Sequence, residues 1–232
     1  MPCDIGYRSV TKVTIPAPQP QVFTEKAKAL DIDADLLEKL GIEDSTFLEW
    51  ITGNEIDVES LLTEALKRAL AKVDGGGLDF TVNAQGMLEA KGSFTSAREK
   101  ARLSERSSAV SNRWQFEILG IVAELLDYTV TITQKGEELV LEAEEAGKSH
   151  PSDYIKITRR GDVSEIVFEH FKSRKALDLA TAKFLALAAR LGVKLVLGKR
   201  AIKQGDPFPG ETRDKHGHTE SHQHGHGHRH DH

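Results

Sequence analysis

Residues 128 to 143 read Tyr128-Thr-Val-Thr-Ile-Thr-Gln-Lys-Gly-Glu-Glu-Leu-Val-Leu-Glu-Ala143, which is two strand-like segments on either side of Gln134-Lys135-Gly136. β-Branched and apolar residues dominate both segments, and such residues favour β-strands. The glycine between them can adopt the positive φ that a tight hairpin turn requires. The ranges Leu78 to Phe94 and Tyr154 to Phe168 show the same arrangement around a glycine-containing turn. The sequence therefore predicts three β-hairpins.

Two long helical segments accompany the predicted hairpins. Ser96 to Asp127 begins with charged residues, but from Arg113 to Leu126 apolar residues cover most of its circumference. So wide an apolar surface indicates either a buried central helix or a dimer interface. The second segment begins at Ser173, a residue type that favours helix N-termini, and Gly192 ends it.

The chain upstream of the first hairpin divides into a strand, a connector and a helical region. Ile5 to Ile15 has the β-branched content of a strand. The alternating prolines from Pro16 to Pro20 end it, because proline fixes φ and cannot donate a backbone hydrogen bond. The clearest helical pattern runs from Asp57 to Val73, where apolar residues recur with a period of about 3.6 residues. A short final strand is predicted from Val193 to Leu197.

The order of these elements predicts an α+β fold. We expect antiparallel β-hairpins packed against two long helices, with an N-terminal helical segment and a disordered His-rich C-terminal tail. The predicted divisions are an N-terminal strand and proline-rich connector at 1–20, a helical segment at 21–75, the α+β body at 76–203 and the flexible tail at 204–232.

From the composition of the chain, we expect it to belong to none of several common classes of protein. The net charge is −5, and the basic residues form no stripe interleaved with aromatics, so nucleic-acid binding is not indicated. The longest apolar stretch, Ile118 to Leu126, has nine residues and contains Glu124, whereas a membrane span needs about twenty. The N-terminus lacks the pattern of a secretory signal, and Cys3 is the only cysteine. We therefore expect a cytoplasmic protein without membrane association.

The C-terminal tail has the strongest chemical signature. Eight of the ten histidines fall in the last seventeen residues. They are His216, His218, His222, His224, His226, His228, His230 and His232. From His222 onward they occupy every second position, which in an extended chain projects their side chains to one side. Imidazole suits zinc, nickel and copper, so we predict that these residues bind a divalent transition metal, with zinc or nickel ahead of copper.

Three other interpretations of the tail stay open. It could be an added purification tag, although such tags are usually unbroken runs and this one contains Gly, Thr, Gln and Arg. It could be a solvated terminus whose histidines serve solubility. It could also be a charge switch, since up to eight imidazoles gain a proton on acidification.

The body offers weaker candidates. Cys3, Asp4, His150, Asp153 and His170 would make a zinc or nickel site if the ends of two β units met. The preferred interpretation is that they are ordinary turn and terminal residues. Two phosphate-loop-like triplets fail: Gly147-Lys148-Ser149 has Glu142 where the first glycine belongs, and Gly198-Lys199-Arg200 lacks the hydroxyl. The acidic residues from Glu137 to Glu145 are interpreted as a solvated face.

The first hypothesis for function is a cytoplasmic metal-binding or metal-trafficking protein that holds Zn(II) or Ni(II) on its tail and docks a protein partner through its body. The alternative is a non-catalytic adaptor or scaffold of unknown partner, which would use the Pro16 to Pro20 connector and the region of Phe47 and Trp50, with the tail incidental. An enzyme with a site around Cys3 and His150 has the least support, and no catalytic residue is assigned. Homo-oligomerisation stays open.

Overall fold

The computed structural model describes residues 7–15, 57–147, 152–161 and 163–204. Over these ranges the chain has an α+β fold in which an antiparallel sheet packs against helices, as the sequence predicts. The strands and helices are, in chain order, β1 (Tyr7–Thr14), α1 (Val58–Leu70), β2 (Asp79–Val82), β3 (Leu88–Lys91), α2 (Ala97–Leu125), β4 (Tyr128–Lys135), β5 (Glu138–Glu145), β6 (Tyr154–Arg160), β7 (Val163–Phe171), α3 (Arg174–Arg190), β8 (Val196–Leu197) and β9 (Ala201–Gln204).

The main sheet contains seven strands in the order β4-β5-β6-β7-β1-β8, and β9 also pairs with β1. Every pairing between these strands is antiparallel. β1 comes first in the chain, yet it lies between β7 on one side and β8 and β9 on the other. β2 and β3 form a separate two-stranded sheet.

Alternating burial gives the main sheet one covered face. In β5, Leu139, Leu141 and Ala143 are buried, whereas the residues between them are half-buried. Successive side chains of a strand point to opposite faces, so the buried set faces one side. α2 packs on β4 and β5, α3 packs on β7 and β1, and the two helices contact each other. Both helices therefore cover the same face.

Helix α2 is the central helix of the fold. Its N-cap Ser96 accepts a hydrogen bond from the Glu99 backbone N–H at 3.2 Å, and the Glu99 carboxylate accepts one from the Thr95 backbone N–H at 2.7 Å. This reciprocal arrangement satisfies backbone donors at the helix start. Further along, Trp114 Nε1 donates to the Leu62 carbonyl of α1 at 3.1 Å. The residues from Arg113 to Ala123 are buried, so the broad apolar surface lies inside the fold.

The C-terminal strand differs from the prediction. In place of one strand from Val193 to Leu197, the structure has the short β8 and then β9. Gly198 N–H donates to the Lys12 carbonyl at 2.8 Å, and Arg200 then directs its side chain at Asp178 of α3. Because Arg200 turns towards α3, the backbone pairing with β1 is interrupted between β8 and β9.

Several predicted elements lie outside the described residues. They are the Pro16 to Pro20 connector, the helical residues that precede Asp57, including Phe47 and Trp50, and the chain from residue 205 onward. Within the described ranges, no helix combines the length and the apolar character needed to cross a membrane.

Candidate metal centre

The eight histidines predicted to bind metal lie outside the described residues. They are His216, His218, His222, His224, His226, His228, His230 and His232. The structure does describe the strand from which they continue. β9 ends at Gln204, opposite Tyr7, the first residue of β1. The segment that carries Cys3 and the segment that carries the histidines therefore join the sheet at neighbouring positions, at one end.

Asp153 and His170 lie at this same end of the sheet. The β6–β7 register ends with Tyr154 opposite Glu169, and these two residues are the chain neighbours of Asp153 and His170. On the next strand, Phe171 pairs with Tyr7. The fold thus brings two of the five body candidates together, although their spacing along the chain gives no sign of it.

His170 has an unusual backbone conformation. Its φ is 67°, in the left-handed region that residues other than glycine rarely adopt. The β1–β7 register shifts here, because Tyr7 pairs with Phe171 but Ser9 pairs with Phe168, which leaves one extra residue on β7. Such a β-bulge redirects a side chain. The His170 side chain keeps 30% of its surface exposed, and its Nε2 lies 3.9 Å from Glu169 Oε2.

The Glu169 carboxylate is already engaged. Its Oε1 lies 2.6 Å from Arg8 Nε, and both side chains are largely buried. The positive charge of Arg8 offsets the negative charge of the Glu169 carboxylate, which would otherwise attract a metal ion. Across the part of the chain that the structure describes, no three His, Cys, Asp or Glu side chains form a group that could hold a metal ion. His170 and Asp153 would need Cys3, Asp4 or His150 to complete a site, and those three lie outside the described residues.

Asp153 has a structural role at the start of β6. Its backbone carbonyl accepts a hydrogen bond from the Glu145 N–H at 3.0 Å, which ties β5 to β6. Burial raises the pKa of the Tyr128 phenol, and the negative charges of Asp153 and Glu145 raise it further. The Asp153 carboxylate therefore acts on the buried Tyr128 side chain.

A polar cluster that the sequence did not reveal fixes the chain just before the tail. Arg200 Nη1 donates to Asp178 Oδ1, Nη2 donates to Thr181 Oγ1 at 3.1 Å, and Nε donates to Ser9 Oγ at 3.0 Å. Arg174 Nε donates to the second Asp178 oxygen at 3.2 Å. The cluster joins β1, α3 and the β8–β9 connection. Its members are satisfied by one another, which identifies it as a structural clamp.

A second buried ion pair lies within α2. Arg113 Nη2 and Glu117 Oε1 are 2.7 Å apart, and their side chains are only 5% and 7% exposed. A buried charge requires a partner, and each residue supplies the other's. Their spacing of four residues was the signal in the sequence, since it places them on one helix face. The pair has a structural role.

The functional assignment rests on the chemistry of this chain alone. Comparisons with protein-family models, with curated proteins and with solved structures gave no match to it.

Proposed function

We propose that this protein binds a divalent transition metal, zinc or nickel, through its His-rich C-terminal segment. The observation that carries the proposal is the placement of eight imidazoles in the last seventeen residues, six of them at every second position from His222 to His232. Neutral imidazole is a preferred ligand of both metals. Glu220 and Asp231 add oxygen ligands within the same segment.

The composition of the segment supports metal handling over a permanent structural site. Structural zinc sites use four fixed ligands, commonly thiolates, whereas this segment has no cysteine and more imidazoles than one ion requires. An ion bound by a subset of equivalent ligands can exchange one imidazole for another or for a ligand of a second molecule. The proposed role is therefore to hold the metal and pass it on, as a trafficking protein does.

The attachment of the segment supports the same role. β9 is paired with β1 up to Gln204, and Arg200 fastens the preceding residues to α3. The last described residues before the histidines are thus anchored on the sheet. His170 lies at the same end with part of its imidazole exposed, so it is the one described histidine available near this position.

The test is calorimetric titration of the full chain with Zn(II) and with Ni(II) at pH 7.5. One variant replaces the eight tail histidines with asparagine, and a matched variant replaces the body histidines His150 and His170 with asparagine. We expect the tail variant to lose nearly all binding and the body variant to retain it. Equal stoichiometry in the wild-type chain and the tail variant would overturn the proposal.

A third variant, Cys3→Ser, tests the alternative that residues of the body hold a metal ion. If the tail variant still binds one metal ion and the added Cys3→Ser change abolishes that binding, the ion is held by the body. The adaptor alternative predicts that the tail variant keeps full biological function and partner binding, which a pull-down with both chains measures.

A further inference from the structure

The two edges of the main sheet are built differently. On the β1 side the edge consists of the short β8 and β9, which are separated by Gly198, Lys199 and Arg200. Short, interrupted strands with basic residues protect an edge from pairing with other chains. The opposite edge is β4, which pairs residue for residue with β5 from Tyr128 to Lys135 without a bulge. In the described ranges no strand occupies its outer side.

β4 lacks the usual protection of an edge strand. From Tyr128 to Gln134 it contains neither proline nor a charged residue, and six of these seven residues are β-branched or tyrosine. Long, regular and uncharged edge strands are templates for a further strand. The charged residues stand only at its two limits, with Asp127 before the strand and Lys135 at its end.

The backbone groups that face outward can be assigned. Ala146 N–H donates to the Asp127 carbonyl at 2.9 Å, so the odd-numbered residues of this strand direct their backbone groups at β5. Backbone direction alternates along an antiparallel strand. The even-numbered residues Tyr128, Val130, Ile132 and Gln134 therefore present their N–H and C=O groups to the open edge.

We propose that β4 pairs antiparallel with β4 of a second copy of this chain, about a two-fold axis at Thr131. Thr131 of one copy then lies opposite Thr131 of the other in a non-hydrogen-bonded pair. The even-numbered residues, whose backbone groups face outward, form the hydrogen-bonded pairs between the two copies. Across the axis, Thr129 lies opposite Thr133, Val130 opposite Ile132 and Tyr128 opposite Gln134. Asp127 precedes the strand with a φ of 65°, and it lies near Lys135 of the other copy. The threonine and β-branched pairs are among the combinations that stabilise sheets.

The charges select this arrangement. Antiparallel pairing about Thr131 brings Lys135 of each copy near Asp127 of the other, which is an attractive contact made twice. A parallel pairing in register would place Lys135 opposite Lys135, and like charges directly opposite are destabilising. The opposite signs at the two limits of β4 thus suit a second copy in the antiparallel orientation.

The dimer is independent of the proposed metal segment. β4 and β9 are separated by five strand spacings, about 24 Å, because neighbouring strands lie about 4.8 Å apart. β9, the last described strand before the His-rich segment, lies towards the two far edges of the joined sheet. Removal of metal with EDTA is therefore expected to leave the dimer intact, which distinguishes it from association through metal bridges.

Engineered cysteines test the register in the full chain carrying Cys3→Ser. Thr131→Cys places two thiols in a non-hydrogen-bonded pair, whose Cα separation of about 4.5 Å permits a disulfide. Thr129→Cys is the matched control, since Thr129 is also exposed on β4 but lies opposite Thr133. Under mild oxidation with EDTA present, we expect a covalent dimer for Thr131→Cys, little for Thr129→Cys, and recovery with Thr129→Cys and Thr133→Cys together. Equal cross-linking of the two single variants would overturn the proposal.

Analytical ultracentrifugation of the full chain gives a second measurement. We expect a dimer in the wild-type chain and a dissociation constant raised about tenfold by Lys135→Glu, which turns two attractive pairs into repulsive ones. Lys199→Glu makes the same change of charge at the opposite edge and should leave the dissociation constant unchanged. A wild-type chain that stays monomeric at about 100 μM, or equal effects of the two substitutions, would overturn the proposal.

Discussion

The guanidinium of Arg200 is bonded to the carboxylate of Asp178, which joins the β8–β9 connection to helix α3. The two side chains are only 14% and 13% exposed. The same guanidinium reaches Ser9 of β1, 191 residues away in the chain. The pair therefore holds together three elements that are distant in sequence, at the position from which the His-rich segment continues.

Substitution of Arg200 by alanine leaves Asp178 with Arg174 as its one charged partner among the described residues. Removal of one member of a buried pair is strongly destabilising, so we expect the free energy of unfolding to fall by about 3 kcal/mol. Urea denaturation followed by circular dichroism measures this change. Arg160→Ala is the control, because the Arg160–Glu138 pair is solvent-exposed on the arginine side and should contribute less than about 1 kcal/mol. Equal effects would show that the clamp contributes no more than a surface pair.

Helix α2 lies close against the sheet at Gly120. A Cβ atom added there would lie 3.2 Å from Ile132 Cδ1 and 3.5 Å from Val130 Cγ1. A large side chain cannot fit without displacing β4, so we expect Gly120→Leu to destabilise the fold by about 1 to 3 kcal/mol. Thermal denaturation measures the effect. Ala101→Leu adds a large side chain to an exposed position of the same helix and should change stability by less than about 0.5 kcal/mol.

The buried Tyr128 phenol makes the stability of the fold decrease at alkaline pH. Burial raises the pKa of its phenol above the ordinary value of about 10, and Asp153 and Glu145 add to the effect. Since the folded state retains this proton more strongly than the unfolded state, stability falls as pH rises above the unfolded value. Above about pH 10, we expect the free energy of unfolding of the wild-type chain to fall relative to that of Tyr128→Phe. At lower pH, the difference between the two chains should stay constant.

Absorbance titration of the phenol tests the cause. Asp153→Asn removes one of the two negative charges and should lower the pH at which Tyr128 ionises. An unchanged titration would show that Asp153 lies too far from the ring to act on it, and that burial and Glu145 set the pKa.

Local interactions explain what the sequence could predict. Ser96 and Ser173 each accept a hydrogen bond from the backbone N–H three residues later, at 3.2 and 3.1 Å. A cap of this kind involves only neighbours in the chain, so the residue type is informative by itself. The glycine in the β4–β5 turn is similar: Gly136 adopts a φ of 61°, which the turn requires.

Contacts between distant residues explain what the sequence could not predict. No local pattern placed β1 beside β7, since that pairing depends on which strands bury each other's side chains. Asp153 and His170 were both candidates, but their placement at the same end of the sheet follows from the β6–β7 pairing, which ends at Tyr154 and Glu169. Arg200 followed a glycine and a lysine in an apparent loop, and nothing near it in the chain indicated Asp178, Thr181 or Ser9 as its partners.

The proposed metal binding should reverse with pH. Only neutral imidazole coordinates a metal ion, and its ordinary pKa is about 6.5. We expect the full chain to hold Zn(II) at pH 7.5 and to release it near pH 5, with protons taken up as the metal leaves. Equilibrium dialysis at a series of pH values measures the bound metal. The chain with the eight tail histidines replaced by asparagine is the control and should bind little metal at any of them. Retention of Zn(II) by the wild-type chain at pH 5 would contradict coordination by the imidazoles, because carboxylates alone would then have to account for it.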